Sequence, residues 1–434
     1  MNRRDFAALL LASFATSGCS DKKERLPGER ISVLGLERRY DPDPALANTA
    51  VTLPPATVNP EWPQPGGNTM HAMQHLALPD ASRRAWDISI GAGSGRYTKV
   101  MSQPVVAKGR VFAMDGGVQV GAWDEGSGNR VWQVDLKPEE LRGNAFGGGP
   151  SFANDRLYVS TGYAQVLALD PADGKVIWRK GLNAPIHSAP TVRDGRVFVV
   201  TVDNELNAFS ADDGRRLWSH NGIPETAGLL GGASPAADGE VVVVAYNSGE
   251  LFALRVENGH VVWSDNLALQ RGPSAVAALA DIHGRPVIDR DRVVAVSHSG
   301  RMVSIDLRRG DRVWEREISS SHQPWVAGDY VFVLANDNEI VCLTRADGKI
   351  RWVTPLPRYG DEKDKSDPIR WAGPVLGGNR LIALSSTGQA MSLSPLTGER
   401  GSSEDMSAAG YLGPIIANNT LYLLTDDANL SAYR

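Results

Sequence analysis

Cysteine is nearly missing. Cys19 and Cys342 are the only two among 434 residues, so no disulfide framework holds this chain together. An excess of positive charge is missing too: 45 basic against 50 acidic side chains leave a formal charge of −5. Such a chain has no cationic field to grip a nucleic-acid backbone, and no nucleic-acid partner is expected. Long apolar runs are also scarce, and the stretch from Phe6 to Ala15 is too short to span a bilayer. What the sequence has instead is 45 glycines and 26 prolines, with 42% apolar and 22% charged residues. That composition suits many short strands joined by tight turns and argues against a helical bundle or a long disordered chain.

The N-terminus reads as an export signal. Arg3 and Arg4 precede the apolar stretch, and Thr16-Ser17-Gly18 supplies small residues before Cys19. A cysteine in that place resembles the bacterial lipobox, with cleavage after residue 18 and lipid on the Cys19 thiol; plain cleavage or an uncleaved anchor are the alternatives. Arg3-Arg4-Asp5-Phe6 also resembles a twin-arginine signal, although two charges of an ordinary leader look the same. Ser20 in place of Asp resembles an outer-membrane destination. Residues 19–80 carry much proline and little periodicity, as in Asp41-Pro42-Asp43-Pro44 and Trp62-Pro63-Gln64-Pro65, and are expected to form a mostly extended tether.

From residue 104 the sequence repeats itself. Pro104, Pro150, Pro190, Pro235, Pro286, Pro324 and Pro374 are each followed, at a fixed interval, by Gly128, Gly174, Gly214, Gly259, Gly310, Gly348 and Gly398. Just beyond the first six glycines stand Trp132, Trp178, Trp218, Trp263, Trp314 and Trp352; the seventh copy has Ser402 there. Each strand before the glycine carries a small residue, such as Ala122, Ala168 or Cys342, beside a large apolar one, such as Trp123, Leu169 or Leu343. An eighth copy starts at Pro414 and stops at Arg434, before its last strand.

Each copy reads as four antiparallel strands. The fixed glycine closes an Asp-x-x-Asp-Gly or Asp-x-x-Thr-Gly turn that needs a positive φ. The small residue is expected to receive the neighbouring copy's tryptophan, whose burial is worth roughly 4–6 kcal/mol gross for about 150–250 Å². Four strands per copy and about eight copies predict an all-β, eight-bladed β-propeller over residues 81–434. Ala85 to Ile90, with Trp86, supplies the strand that the truncated last copy lacks, so the N-terminal strand should close the ring and hide its last edge. Length varies only between a fourth strand and the next first strand, which elaborates one face. The longest of these loops run from Ser264 to Arg285 and from Val353 to Gly373, and variable loops on a rigid scaffold are where recognition resides.

The signature Ala-x-Asp-x-x-Asp-Gly-x-x-x-Trp, whole from Ala168 to Trp178 and partial elsewhere, resembles the tryptophan-docking motif of pyrroloquinoline-quinone-type propellers. That motif speaks for fold and not for activity, since the fold carries quinoprotein dehydrogenases and non-enzymatic scaffolds alike. With the export signal and lipid site, the single ring resembles the BamB family, scaffold lipoproteins of the outer-membrane β-barrel assembly machinery. Leu26-Pro27-Gly28-Glu29-Arg30 and Trp62-Pro63-Gln64-Pro65-Gly66-Gly67-Asn68 are similar to its alphaproteobacterial members. The resemblance implies a non-enzymatic protein without cofactor, lipid-anchored on the periplasmic face of the outer membrane. Its partners would be the barrel-assembly subunit and nascent β-barrel proteins. The family grips that subunit through two interblade loops, which correspond here to Leu229 and Leu230 and to Asp281 and His283. Leu230 stands where the family has Arg and His283 where it has a second Asp, so the contact would be more apolar. A periplasmic quinoprotein enzyme and a generic ligand-binding propeller are the rival readings.

Chemistry that would favour an enzyme is thin. A quinoprotein resembling the enzyme members should carry an adjacent cysteine pair, and Cys342 occupies a slot that is Ala or Ser in every other copy, as a small core residue would. His71-Ala72-Met73-Gln74-His75 has ligand spacing without the glutamate of a metalloprotease helix, and no metal is expected there. Gly91 to Arg96 lacks the Gly-Lys-Ser/Thr ending of a phosphate loop and reads as an interblade loop, Gly147 to Gly149 as backbone crowded near the channel. Asp361 to Asp367 reads as a solvated loop tip. No Gly-x-Ser-x-Gly nucleophile elbow occurs.

Overall fold

The structure, a computed structural model, describes residues 40–47, 49–80, 82–141, 143–269 and 279–434. The expected export signal, Cys19 and the Leu26–Arg30 motif lie outside the described residues. Eight four-stranded antiparallel sheets follow one another. Blades 1 to 7 span residues 105–135, 148–181, 191–221, 236–266, 287–316, 325–355 and 371–405; blade 8 joins residues 415–433 to Arg84–Ser89.

Burial falls from the second strand of a blade to the fourth, and the sequence follows it. In blade 4, Val241–Ala245 is buried throughout and entirely apolar, as a strand covered on both faces must be. Val261–Asn266 at its rim buries only Trp263 fully. The turn into each fourth strand is the expected one: Gly174 sits at φ 77° and donates its N–H to the Asp170 carbonyl at 2.8 Å.

The tryptophans do key the blades together, by a different surface from the one expected. Each small residue lies opposite the indole of its own blade, as in the register pairs Ala122–Trp132, Ala168–Trp178 and Cys342–Trp352. An aromatic on the second strand then reaches the indole across it: Phe112 with Trp132 at 6.2 Å between centroids, Tyr158 with Trp178 at 6.1 Å. The neighbour's indole meets the adjacent large residue instead, Trp132 clustering with Leu169 and Trp178 with Phe209. The reason is strand alternation, since consecutive residues face opposite blades. The indole also lies over the next blade's fixed glycine, where a Cβ on Gly174 would come within 2.6 Å of Trp132. Its N–H donates to a turn carbonyl: Trp132 to Pro171 at 2.8 Å, Trp178 to Ala211 at 3.0 Å, Trp218 to Val256 at 3.0 Å and Trp263 to Leu307 at 2.7 Å. Trp314 reaches Arg345 at 2.8 Å and Trp352 reaches Pro395 at 3.1 Å.

The ring is closed as the spacing predicts. Arg84–Ser89 pairs with Asn429–Tyr433, with Trp86 opposite Ala432. Ser402, the exception in the series, faces blade 8, whose third and fourth strands, Asn429–Tyr433 and Arg84–Ser89, are far apart in sequence and joined by no tight turn, so there is no such turn to dock on.

The expected tether, by contrast, is folded against the ring from Tyr40 onward. Residues 40–47 and 49–54 run beneath blade 6, with Tyr40 buried, Asp43 N–H donating to Ile350 and the Tyr330 hydroxyl donating to Ala50. Residues 59–76 then make one full circuit of the channel, touching the innermost strand of each blade in turn. Asn59 bonds Ile416 and Asn418 of blade 8, Trp62 pairs with Val106 of blade 1, and the Pro63 carbonyl accepts from Phe152 of blade 2. Gln64 bonds both backbone groups of Val192 in blade 3, at 2.8 and 2.9 Å. Thr69, Met70, Gln74 and Leu76 accept from Ala237, Ile288, Gly328 and Gly378 of blades 4 to 7. The circuit closes on itself where Thr57 bonds His75 and Ala77. Proline suits this course because an extended chain with few N–H groups presents carbonyls to the exposed inner edges, while Trp62, Met73, Leu76 and Leu78 bury apolar surface. The result is a collar across one mouth of the channel, opposite the variable loops.

Candidate functional site

The variable loops carry apolar side chains into solvent. Tyr97, Leu141, Ile223, Leu230 and Tyr411 stand on four of them, Ile223 and Leu230 sharing one, and Leu230 is 50% exposed. They stand apart from one another on one face of the rigid ring.

The residues singled out by the two-loop resemblance come together between blades 3, 4 and 5. Asp281 is buried, and its carboxylate accepts the Leu229 N–H at 2.8 Å, tying the loop of one junction to that of the next. Burial pushes the Asp281 carboxyl up, partly offset by that N–H and by His298. Leu229 is half-buried while Leu230 points outward. A cavity of about 310 Å³ lies beside them, lined by Leu229, Leu230, Asp281, Asn204 and Asn247. The two asparagines brace it, Asn204 Nδ2 donating to Asn247 Oδ1 at 2.6 Å. His283 takes a different place: its imidazole packs under Gly231 and borders the central channel. Burial, and then the neighbouring Arg285 and His298, hold it near pKa 4, so it is neutral at pH 7.

The central channel holds a larger cavity of about 530 Å³, floored by Trp62 and Gly66 of the collar. Lys99, Arg285 and Arg370 border it, with Asp426 as the acidic member. These residues come from four separate loops and share no spacing, so no sequence signal could have assembled them.

The other motifs have structural roles. His71 is buried with Nδ1 bonded to the Pro286 carbonyl at 2.7 Å, and His75 Nδ1 bonds that of Pro54 at 2.7 Å. Among the described residues no group of three His, Cys, Asp or Glu side chains is placed to share a metal ion. Cys342 is fully buried in the core of blade 6 and does not border the channel cavity. Tyr359–Asp361 and Ser366–Pro368 form a small hairpin, with Asp361 to Asp367 exposed at its tip.

The profile of a family described as outer membrane protein assembly factor BamB matches residues 115–354, more than half of the chain. The chain belongs to the BamB family. BamB of Shewanella oneidensis is 30% identical over 65% of this chain and 72% of its own length. The crystal structure of BamB from Moraxella catarrhalis superposes with a TM-score of 0.66 at 19% identity, over 82% of this chain and 98% of that one. A quinohemoprotein alcohol dehydrogenase from Comamonas testosteroni reaches a TM-score of 0.65 at 13% identity, over 87% of this chain and 81% of that one. The near-equal superpositions show how little the propeller by itself says about activity; what separates the two is the sequence match to BamB.

Proposed function

We propose that this BamB-family chain is a non-enzymatic scaffold of outer-membrane protein assembly, held by lipid on Cys19 at the periplasmic face of the outer membrane. In this reading it binds the barrel-assembly subunit through the loop face. Leu230 is the apolar anchor, Asp281 holds the Leu229–Leu230 loop in shape, and His283 supports that loop from the channel side. Nascent β-barrel chains are further partners, meeting the same face. The observation that carries the reading is the tie between Leu229 N–H and the buried Asp281 carboxylate, which locks an exposed leucine onto a rigid ring in a family whose members are named for outer-membrane protein assembly.

The test is a pull-down from detergent-solubilised outer membranes with the full chain and two variants. Wild type should retain a large β-barrel protein bearing polypeptide-binding modules. Leu230→Glu should lose it with the fold intact, and Asp281→Ala should weaken it. Retention unchanged in Leu230→Glu removes the leucine from the interface, and recovery of no barrel protein by wild type overturns the scaffold reading.

A further inference from the structure

The collar converts the propeller channel into a cup. Its floor is the collar, hydrogen-bonded to every blade through backbone or side chain, so the 530 Å³ cavity opens toward the variable loops. The charge of this cup runs against that of the protein. The chain as a whole carries −5, yet the cup is bordered by Lys99, Arg285 and Arg370 against the single carboxylate Asp426.

Arg285 is the centre of the argument. Its guanidinium lies deep in the channel wall, where its Nη1 makes a long contact of 3.5 Å to Gln323 Oε1 and its Nε has no hydrogen-bond partner. Among the described residues no carboxylate lies within ion-pair distance of it. Arg345 and Arg312, by contrast, have carboxylate partners, Asp289 at 2.5 Å and Asp265 at 2.6 Å. A guanidinium offers five N–H donors in a fixed fork, and an interior charge without a counter-charge is costly. Around it stand His283 and His322, both bordering the cup, with the His283 Nδ1 also unpartnered. His71 lies beneath, against Gly66. Ser321, Ser102 and Gln103 add neutral donors to the wall.

We propose that the closed central cup is a binding site for a small polyanion bearing carboxylate, phosphate or sulfate groups, seated on Arg285 with His283 and His322 as further donors. The volume suits a ligand of metabolite size. A dianion supplies the missing acceptors for the Arg285 fork and favours the protonated imidazoles beside it. Burial and then Arg285 and His298 disfavour protonation of His283, and burial and then His283 disfavour that of His322. Binding therefore takes up protons, and affinity rises as the pH falls.

Calorimetric titration of the full chain with sulfate, phosphate and citrate in chloride buffer tests this. Sulfate keeps its charge across the range, so a rise in its affinity from about pH 8 to about pH 5.5 reports protein histidines. Preference for citrate over phosphate assigns a carboxylate ligand, and the reverse a phosphate. Arg285→Gln should weaken binding by about ten- to a hundredfold, and Arg285→Lys should recover part of it. If Arg285→Gln fails to fold by circular dichroism, Arg370→Gln, two blades further round the same cup, serves as the second variant. Affinity no greater than for chloride, or equal affinity in wild type and a folded variant, overturns the proposal.

Discussion

The indole nitrogen of Trp86 donates to the carbonyl of Glu125 at 3.1 Å, across the junction where the two ends of the ring meet. The same carbonyl accepts from Arg434 Nη2 at 2.6 Å, and the Tyr422 ring stands 5.8 Å from the indole. One turn of blade 1 is thus held by both the N-terminal strand and the C-terminal residue. Trp86→Ala should cost about 3–5 kcal/mol, as large aromatic truncations do. Trp178→Ala should cost a similar amount, but only Trp86→Ala should speed hydrogen exchange of the Asn429–Tyr433 amides, because only it loosens the closing strand. Equal protection of those amides in the two variants would separate Trp86 from closure.

The Gln64 side chain of the collar both donates to and accepts from the same residue, Val192. Gln64→Ala leaves both backbone groups of an inner strand unpaired, which should cost about 1–3 kcal/mol. Exchange of the Val192 amide should accelerate while that of Val197, paired within the sheet to Phe209, stays slow. Neighbouring Gly67 sets a second limit: at φ 99°, with the Met73 side chain over it, it accepts no larger residue without moving the collar.

These two regions differ in how far they were legible in the sequence. The blades were, because each carries the same turn glycine and indole at a fixed interval, and a missing strand could be matched to an orphan tryptophan at residue 86. The collar was not. It visits each blade through one or two residues, so it has neither the period of a strand nor that of a helix, and its prolines read as a tether. Its remaining signals were Trp62, Met73, Leu76 and Leu78, apolar residues that an extended solvent-exposed segment has no reason to carry. The small residue opposite each indole was read on the wrong side for a related reason: spacing gives position along a strand, while the face depends on register. At the loop face, Leu230 and Asp281 were reached by resemblance, and their hydrogen-bonded arrangement only by geometry. Arg285, His322 and Lys99 converge from separate loops, and nothing in linear order links them.

Cys342 should be silent toward thiol reagents in the native protein. It is fully buried opposite Trp352, and burial pushes its thiol well above the ordinary range. Since the thiolate is the reacting form, labelling should proceed only through opening of blade 6. Its rate should then follow urea concentration as unfolding does, and rapid labelling in buffer would place the side chain outside the core.

Histidine burial sets the acid limit of the fold. His71 is pushed down to about 3 by burial and then by Arg285, His283 to about 4 by burial and then by Arg285 and His298, and His322 to about 4 by burial and then by His283. All three are neutral when folded and protonate near 6.5 when unfolded, so the unfolded chain binds more protons below that pH. Their contribution is therefore whole above about pH 6.5 and is lost progressively as the pH falls toward 4. The urea midpoint should drop between pH 7 and pH 5 accordingly. His71→Asn offers the sharpest check. Asparagine tolerates the φ of 61° at this position, and its amide can donate to the Pro286 carbonyl where His71 Nδ1 does, without a group that titrates. The variant should keep its collar and show a flatter decline over the same interval. An unchanged slope would mean that His71 is reached by water and protonates in the folded state.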